Sequence, residues 1–271
     1  MPDSAPLPDA RHAIINRRES LWYPEPFRVK LLERLRQLAT DPVRHRATSI
    51  AIIGEAHSGK SVLAEEYLRL YPPYRGEIGM VYPAIKIFMP DHPRIEDFST
   101  ALLEAIGAPD PARGTHNDRM KRFYRLAYQV ELGLIFLDEF HDCTRTKGRG
   151  DAFLITIKQL MNHKLTVVPI GIRKLEDDLK RDPQLASRFN TQLGTLPRVT
   201  EPVHIRQIMA YIAGVDGAQI HDSLVEYVLG ETRGVLGWML DLIENTLTEH
   251  GHLTLTTLKA ARKLFNIRFV E

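Results

Sequence analysis

Gly54-Glu55-Ala56-His57-Ser58-Gly59-Lys60-Ser61 is the stretch that decides how this chain is read. It matches G-x-x-x-x-G-K-[ST] in full, and its surroundings suit it. Ahead of it, Ser49 to Ile53 forms a short apolar run of the kind that makes a buried parallel strand. Behind it, a helical pattern runs from Lys60 to about Leu70 and stops at Pro72-Pro73. Glycines let such a loop curl until its backbone N–H groups converge on phosphate oxygens, and the positive end of the next helix adds to the field. Lys60 then reaches the β- and γ-phosphates, and the Ser61 hydroxyl ligates Mg²⁺. The candidate nucleotide-binding set is Gly54, Glu55, Ala56, His57, Ser58, Gly59, Lys60, Ser61 and Val62, with His57 a loop residue rather than a catalyst. The plain alternative is a glycine-rich turn that happens to carry a lysine.

A second signal is Leu134-Ile135-Phe136-Leu137-Asp138-Glu139, an apolar strand that ends in two acids. In open α/β folds the carboxyl edge of the sheet is where ligands bind. Asp138 suits the Mg²⁺ that bridges the phosphates, and Glu139 suits the polarisation of an attacking water. One further strand candidate, Ala84 to Phe88, lies between the two motifs. That extra strand favours the additional-strand class of P-loop ATPases over small-molecule kinases.

Around these motifs the periodicity predicts helices at about 25–39, 95–106, 117–131 and 152–162, a strand at Thr166 to Ile170, and a broken helical stretch over 172–188. A fifth strand is expected near Gln192 to Leu196, and from about Pro202 only helices follow, at 203–213, 222–230, 234–249 and 255–265. The fold expected is α/β: a five-stranded parallel sheet with helices on both faces, followed by a small all-helical domain. The expected boundaries are 1–24 for an N-terminal extension, 25–200 for the core and 201–271 for the helical domain.

Composition narrows the class. The 271 residues carry 36 Lys+Arg against 34 Asp+Glu, which excludes a polycation or an acidic tail but leaves room for a local basic stripe. Arg113, Arg119, Lys121, Arg122 and Arg125 form one such stripe, interleaved with Phe123, Tyr124 and Tyr128. Its phosphate contacts would be independent of base sequence and sensitive to salt, while a solvated helix face is the bland reading. Arg145, Lys147 and Arg149 form a second basic loop. A single cysteine, Cys143, excludes a disulfide scaffold and a cysteine-based zinc site. No run approaches the roughly 20 apolar residues of a membrane span, and the first residues read as a short disordered lead without signal-peptide character. The expected setting is a reducing cytoplasm.

Arg188, in Asp182-Pro183-Gln184-Leu185-Ala186-Ser187-Arg188-Phe189, is a candidate arginine finger acting on a neighbouring subunit's γ-phosphate; spacing alone equally admits a surface salt bridge. Arg173 is the nearest polar residue to the expected γ-phosphate sensor after the fourth strand, and Arg233 in the helical domain is a further candidate for the nucleotide; an ordinary surface residue is the plain alternative for each, at a helix start in the case of Arg233.

With these motifs in place, the chain resembles the TniB/TnsC family of AAA+ transposition regulators, over about Ala10 to Phe265. The resemblance is carried by Trp22-Tyr23-Pro24, Gly54 to Ser61, Leu137-Asp138-Glu139 and Thr232 to Gly237. It is carried most specifically by Gly171 to Leu175 leading into Asp182 to Phe189. It implies an AAA+ core with a helical lid, and ATP and Mg²⁺ as cofactors. It also implies a homo-oligomeric ring or helical filament on double-stranded DNA that links a TniQ-type target selector to a DDE transposase of the TniA/TnsB type. By the same resemblance, ATP hydrolysis controls assembly; Lys60, Ser61, Asp138 and Glu139 contribute one side of the nucleotide site and Arg188 of the next subunit the other. Trp22 to Pro24 would pack near the adenine. Ile172 departs from the family pattern, which has a threonine there, and this bears on the sensor role. Two other readings stand beside it: an IstB/DnaC-like helper ATPase, and a nucleotide-switched signalling module without DNA.

Overall fold

The computed structural model describes residues 8–41, 48–89, 94–143 and 149–264. Two compact units emerge: a larger one of Pro26–Ala56 and Lys60–Leu196, and a smaller one made of the segments before Pro26, His57–Gly59, and Pro197 onward.

Helix α1 (Pro8–Glu19) belongs to the smaller unit, and α2 (Pro26–Thr40) opens the larger one. There follow β1 (Ser49–Ile50), β2 (Ile52–Ile53), α3 (Lys60–Leu70), β3 (Tyr74–Arg75), β4 (Met80–Val81), β5 (Ala84–Phe88), α4 (Ile95–Ala105) and α5 (His116–Gln129). Then come β6 (Leu134–Asp138), α6 (Arg149–Asn162), β7 (Thr166–Gly171), α7 (Lys174–Lys180), α8 (Pro183–Ala186) and β8 (Phe189–Asn190). The smaller unit is completed by α9 (Pro202–Ala213), α10 (Asp222–Thr232), α11 (Leu236–His250) and α12 (Leu255–Leu264).

In the larger unit β5, β6 and β7 run parallel, with Ala84 opposite Leu134 and Leu134 opposite Thr166. β7 pairs β2 through Ile52 and Ile170, while β1 pairs β8 through Ser49 and Phe189. Only Ala51 separates β1 from β2, so one strand line carries both neighbours and the order is β8, β1/β2, β7, β6, β5. All five residues of β6 are buried, as expected of a central strand covered on both faces. Helix α4 sends Phe98, Leu102 and Leu103 into the core, α5 sends Met120, Phe123 and Ala127, and α6 adds Phe153, Ile157 and Leu160.

The fifth strand is displaced from its expected place near Gln192 to Leu196. Pairing starts at Phe189–Asn190, and the later segment adds a single bridge, Ile53 to Thr195. Between them the chain turns out of the ladder: the Asn190 side chain accepts the Leu193 N–H at 2.9 Å. It returns when Ile53 N–H donates to Gly194 O at 2.9 Å and Leu196 N–H to Ile53 O at 2.7 Å. The antiparallel hairpin of β3 and β4, closed by Gly76 N–H to Gly79 O at 2.8 Å, was not expected, since two-residue strands carry no periodicity.

In the smaller unit α9 to α11 bury Ile205, Ile208, Ile212, Val228, Met239 and Ile243, and α12 adds Leu258 and Ala261. The segment read as an N-terminal extension contains α1, which buries Ile14 and is held chiefly by cations. Arg17 Nε donates to Ile212 O at 2.8 Å, and Arg18 lies 2.5 Å from Asp241 and 2.6 Å from Glu244. Tyr23 donates to Gln207 Oε1 at 2.7 Å and also bonds His204, which seats the Trp22-Tyr23-Pro24 stretch on α9. Residues 1–7, expected as a disordered lead, lie outside the described residues. Among the described residues no helix is long and apolar enough to cross a membrane.

Gly194 sets the closeness of the edge: a Cβ there would meet Ala51 O at 1.9 Å and Ile50 Cγ2 at 2.6 Å. Gly194→Ala is therefore expected to cost upward of about 2 kcal/mol, read as a lowered denaturation midpoint in urea.

Candidate nucleotide site

The loop after β2 bends through two left-handed residues, His57 (φ 61°) and Gly59 (φ 81°), before α3 begins at Lys60. Gly54 N–H donates to Gly171 O at 3.2 Å, which ties the start of the loop to the end of β7. Lys60 is 6% exposed. Its ammonium donates to Glu55 O at 2.7 Å and Gly54 O at 3.3 Å, so the side chain folds back over the loop. Burial pulls the Lys60 pKa down, against the opposing pull of Glu139, Asp138 and Glu55. Ser61 is half-buried on the first turn of α3, and Val62 faces outward.

The acidic pair stands at the carboxyl end of β6. Asp138 is 1% exposed; its Oδ1 accepts the Glu139 N–H at 3.1 Å and its Oδ2 lies 3.1 Å from Lys86 Nζ. Glu139 takes a left-handed conformation (φ 53°), uncommon for a side chain of its kind, and starts the tight turn Phe140–Asp142. That turn brings His141 Nδ1 to 3.2 Å from Glu139 Oε2. His141 also packs against Gly171, where an added Cβ would lie 3.2 Å from its Nδ1. An imidazole thus stands where β7 ends, while Ile172 and the exposed Arg173 supply no hydroxyl there. The donor set fits a hard divalent cation and a polyphosphate: a buried carboxylate and a hydroxyl for the metal, an ammonium and a helix N-terminus for the anion.

Sequence reasoning did not single out Lys86, Glu65 or His141. Lys86 lies in the middle of an apolar strand, and its signal was a charge at a position that patterning assigns to the interior. Lys86 Nζ is also 2.8 Å from Glu65 Oε1; burial lowers its pKa, but Glu65 and Asp138 outweigh that and raise it.

Arg188 follows α8, one residue before β8. Its Nη2 donates to Asn162 Oδ1 at 2.8 Å, on the last residue of α6. One turn earlier on α6, Lys158 Nζ lies 2.5 Å from Asp182 Oδ2, and Asp182 Oδ1 caps α8 by accepting from Gln184 N–H (2.8 Å) and Leu185 N–H (3.3 Å). Arg188 lines a cavity of about 460 Å³ together with Arg34, Ser49, Asn190, Thr191 and Gln192. Arg233 ends α10 in the left-handed region (φ 50°) and belongs to the smaller unit.

The basic stripe divides in two. Arg119 donates to Glu96 O (3.1 Å), Thr100 Oγ1 (3.0 Å) and Ala112 O, and Arg122 donates to Asp110 O at 2.8 Å, so both fasten the loop ahead of α5. Arg113, Lys121 and Arg125 are exposed. Of the aromatics, Phe123 is buried, Tyr124 stacks on His163 at 3.7 Å, and Tyr128 is 87% exposed. Arg145 and Lys147 lie outside the described residues, and Arg149 opens α6.

Comparison with solved structures supports the fold. Aeropyrum pernix ORC2, solved in ADPNP–ADP complexes, aligns with a TM-score of 0.67 at 14% identity, over 93% of this chain and 72% of its own. Aeropyrum pernix ORC1 in complex with DNA aligns at 0.67 and 17% identity, over 94% and 69%. Thermotoga maritima RuvB, the Holliday junction branch migration motor, aligns at 0.53 and 15%, over 90% and 70%. Fold and site together define a P-loop ATPase of the AAA+ class. Residues 12–198, more than half of the chain, match the family described as bacterial TniB protein, and the chain belongs to that family. No curated protein sequence matches it.

The clamp that presents Arg188 makes a pH-dependent prediction. Lys158, then the backbone N–H groups of Gln184 and Leu185, hold the Asp182 pKa below its ordinary 3.8. The carboxylate's contribution is therefore complete above that value and fades as pH falls through the lower folded pKa. Asp182→Ala is expected to cost about 1 kcal/mol at pH 7, and the difference from the parent should shrink below about pH 4, measured by denaturant unfolding at both pH values.

Proposed function

We propose that this chain is an ATP-dependent regulator of transposition that assembles with copies of itself on double-stranded DNA. The observation that carries this reading is the Lys60 loop set beside the Asp138–Glu139 pair in a chain of the TniB family.

In this reading Lys60 leaves the Glu55 carbonyl to engage the β- and γ-phosphates, a rotation of a side chain already within reach. Ser61 and Asp138 would hold a Mg²⁺, which would supply neutralisation of phosphate charge. Glu139 orients the attacking water, with His141 at 3.2 Å steadying its carboxylate. Arg188 of the neighbouring copy meets the γ-phosphate, released from Asn162 for that purpose. Within the basic stripe, Arg113, Lys121 and Arg125 are the cations left exposed, and they would meet DNA phosphates in a salt-sensitive and sequence-independent contact, with the exposed Tyr128 on the same helix as Lys121 and Arg125. The assembly would connect a TniQ-type target selector to a DDE transposase, and hydrolysis would control its assembly and disassembly. The absence of a hydroxyl at Ile172 points to slow, assembly-dependent hydrolysis.

Electron microscopy of the protein with long duplex DNA, with and without a slowly hydrolysed ATP analogue, tests this directly. Nucleotide-dependent rings or filaments are expected, lost in Lys60→Ala, whose nucleotide affinity should fall roughly tenfold or more. Arg188→Ala should keep nucleotide affinity and lose about 10²- to 10³-fold in DNA-stimulated hydrolysis. DNA that stays bare at low salt in every condition would overturn the assembly reading in favour of a nucleotide switch.

A further inference from the structure

The carboxylate assigned to the metal already has a cation against it. Lys86 Nζ lies 3.1 Å from Asp138 Oδ2, and the Asp138 side chain is 2% exposed. Sheet register produces the contact: β5 and β6 pair Lys86 with Phe136 and Phe88 with Asp138, so Lys86 and Asp138 share a face one diagonal step apart. The same ammonium has a second partner, Glu65 Oε1 at 2.8 Å, carried on α3 just after the nucleotide loop. Glu65 is on the wet side of the trio, 61% exposed.

A carboxylate buried this deeply needs a polar or charged partner to offset its lost hydration. With no divalent cation, Lys86 is that partner. A divalent cation and an ammonium held by one carboxylate repel each other, the more so where water is largely excluded. Asp138 therefore serves the metal less well while it keeps the lysine, and Glu65, already 2.8 Å from the ammonium, is the partner to which the lysine can shift.

Resting on the reading of Asp138 as a metal-holding carboxylate, we propose that Lys86 is a positioning residue. It acts as an internal cation that keeps Asp138 oriented before nucleotide arrives and is handed to Glu65 when the metal is taken up. Divalent binding in this chain is then an exchange of cations on one carboxylate. Lys86 sets how much the metal adds to nucleotide affinity, and Glu65 sets how easily the lysine lets go.

The test is a ratio: the Kd of a fluorescent, slowly hydrolysed ATP analogue in EDTA divided by its Kd in saturating Mg²⁺, measured without turnover. Lys86→Met is expected to raise the ratio about fivefold or more, because Asp138 loses its competing partner. Glu65→Gln is expected to lower it, because Lys86 then loses the carboxylate to which it is handed. A ratio unchanged or lowered in Lys86→Met overturns the proposal. If that variant does not fold, as judged by its melting curve, Glu65→Gln decides: a lowered ratio supports the exchange, and an unchanged or raised one overturns it. Asp138→Asn tests the underlying assignment separately. A parental ratio in that variant means Asp138 does not serve the metal, and the site reading itself fails.

Discussion

A carboxylate at 1% exposure on a central strand is a charge that the surrounding structure has to answer. Asp138 is answered from two directions, by the Glu139 backbone N–H on one oxygen and by Lys86 on the other. The parallel register of β5 and β6 fixes the second contact, and the left-handed turn at Glu139 makes the first. The same turn aims the Glu139 carboxylate at His141 and seats His141 against Gly171. Gly171 in turn receives the N–H of Gly54 through its carbonyl. The acidic pair, the imidazole and the phosphate loop are therefore one connected arrangement, built at the carboxyl ends of three neighbouring strands where an α/β sheet exposes its strand ends.

The helix that follows the acidic pair has a second task. Lys158 and Asn162, four residues apart on α6, face the Asp182–Arg188 segment and hold both its cap and its arginine. A short helix of four residues has little stability of its own, so the position of Arg188 depends on these contacts from α6. The smaller unit makes a similar economy: α1 buries little beyond Ile14 and is kept in place by Arg17 and Arg18 on α9 and α11.

Much of this was legible because strong patterns and strong chemistry coincided. Helix α3 begins and ends where the Gly-Lys-Ser motif and the double proline put it, and β5 and β6 fall on largely apolar runs, broken in β5 by Lys86 alone and closed in β6 by Asp138. What was illegible lacked periodicity or depended on partners distant in sequence. Helix α1 has almost no apolar face, β3 and β4 are too short to show alternation, and β8 shifted because Asn190 turns the chain out of the ladder before Gly194 rejoins it. The basic stripe is instructive: Arg119 and Arg122 share a helix and a positive charge with Lys121 and Arg125. Only the path of the loop over Asp110 and Ala112 decides which pair is held internally.

The sequence by itself determined the phosphate loop, the acidic strand end and the succession of strands and helices, because each is written in contiguous residues with local physical rules. The tertiary structure alone decided that Lys86 stands on Asp138, His141 on Glu139 and Asn162 on Arg188. Two of these three are contacts between residues far apart in the chain, and the third depends on a left-handed turn. No local pattern encodes them; they follow from strand register and helix packing.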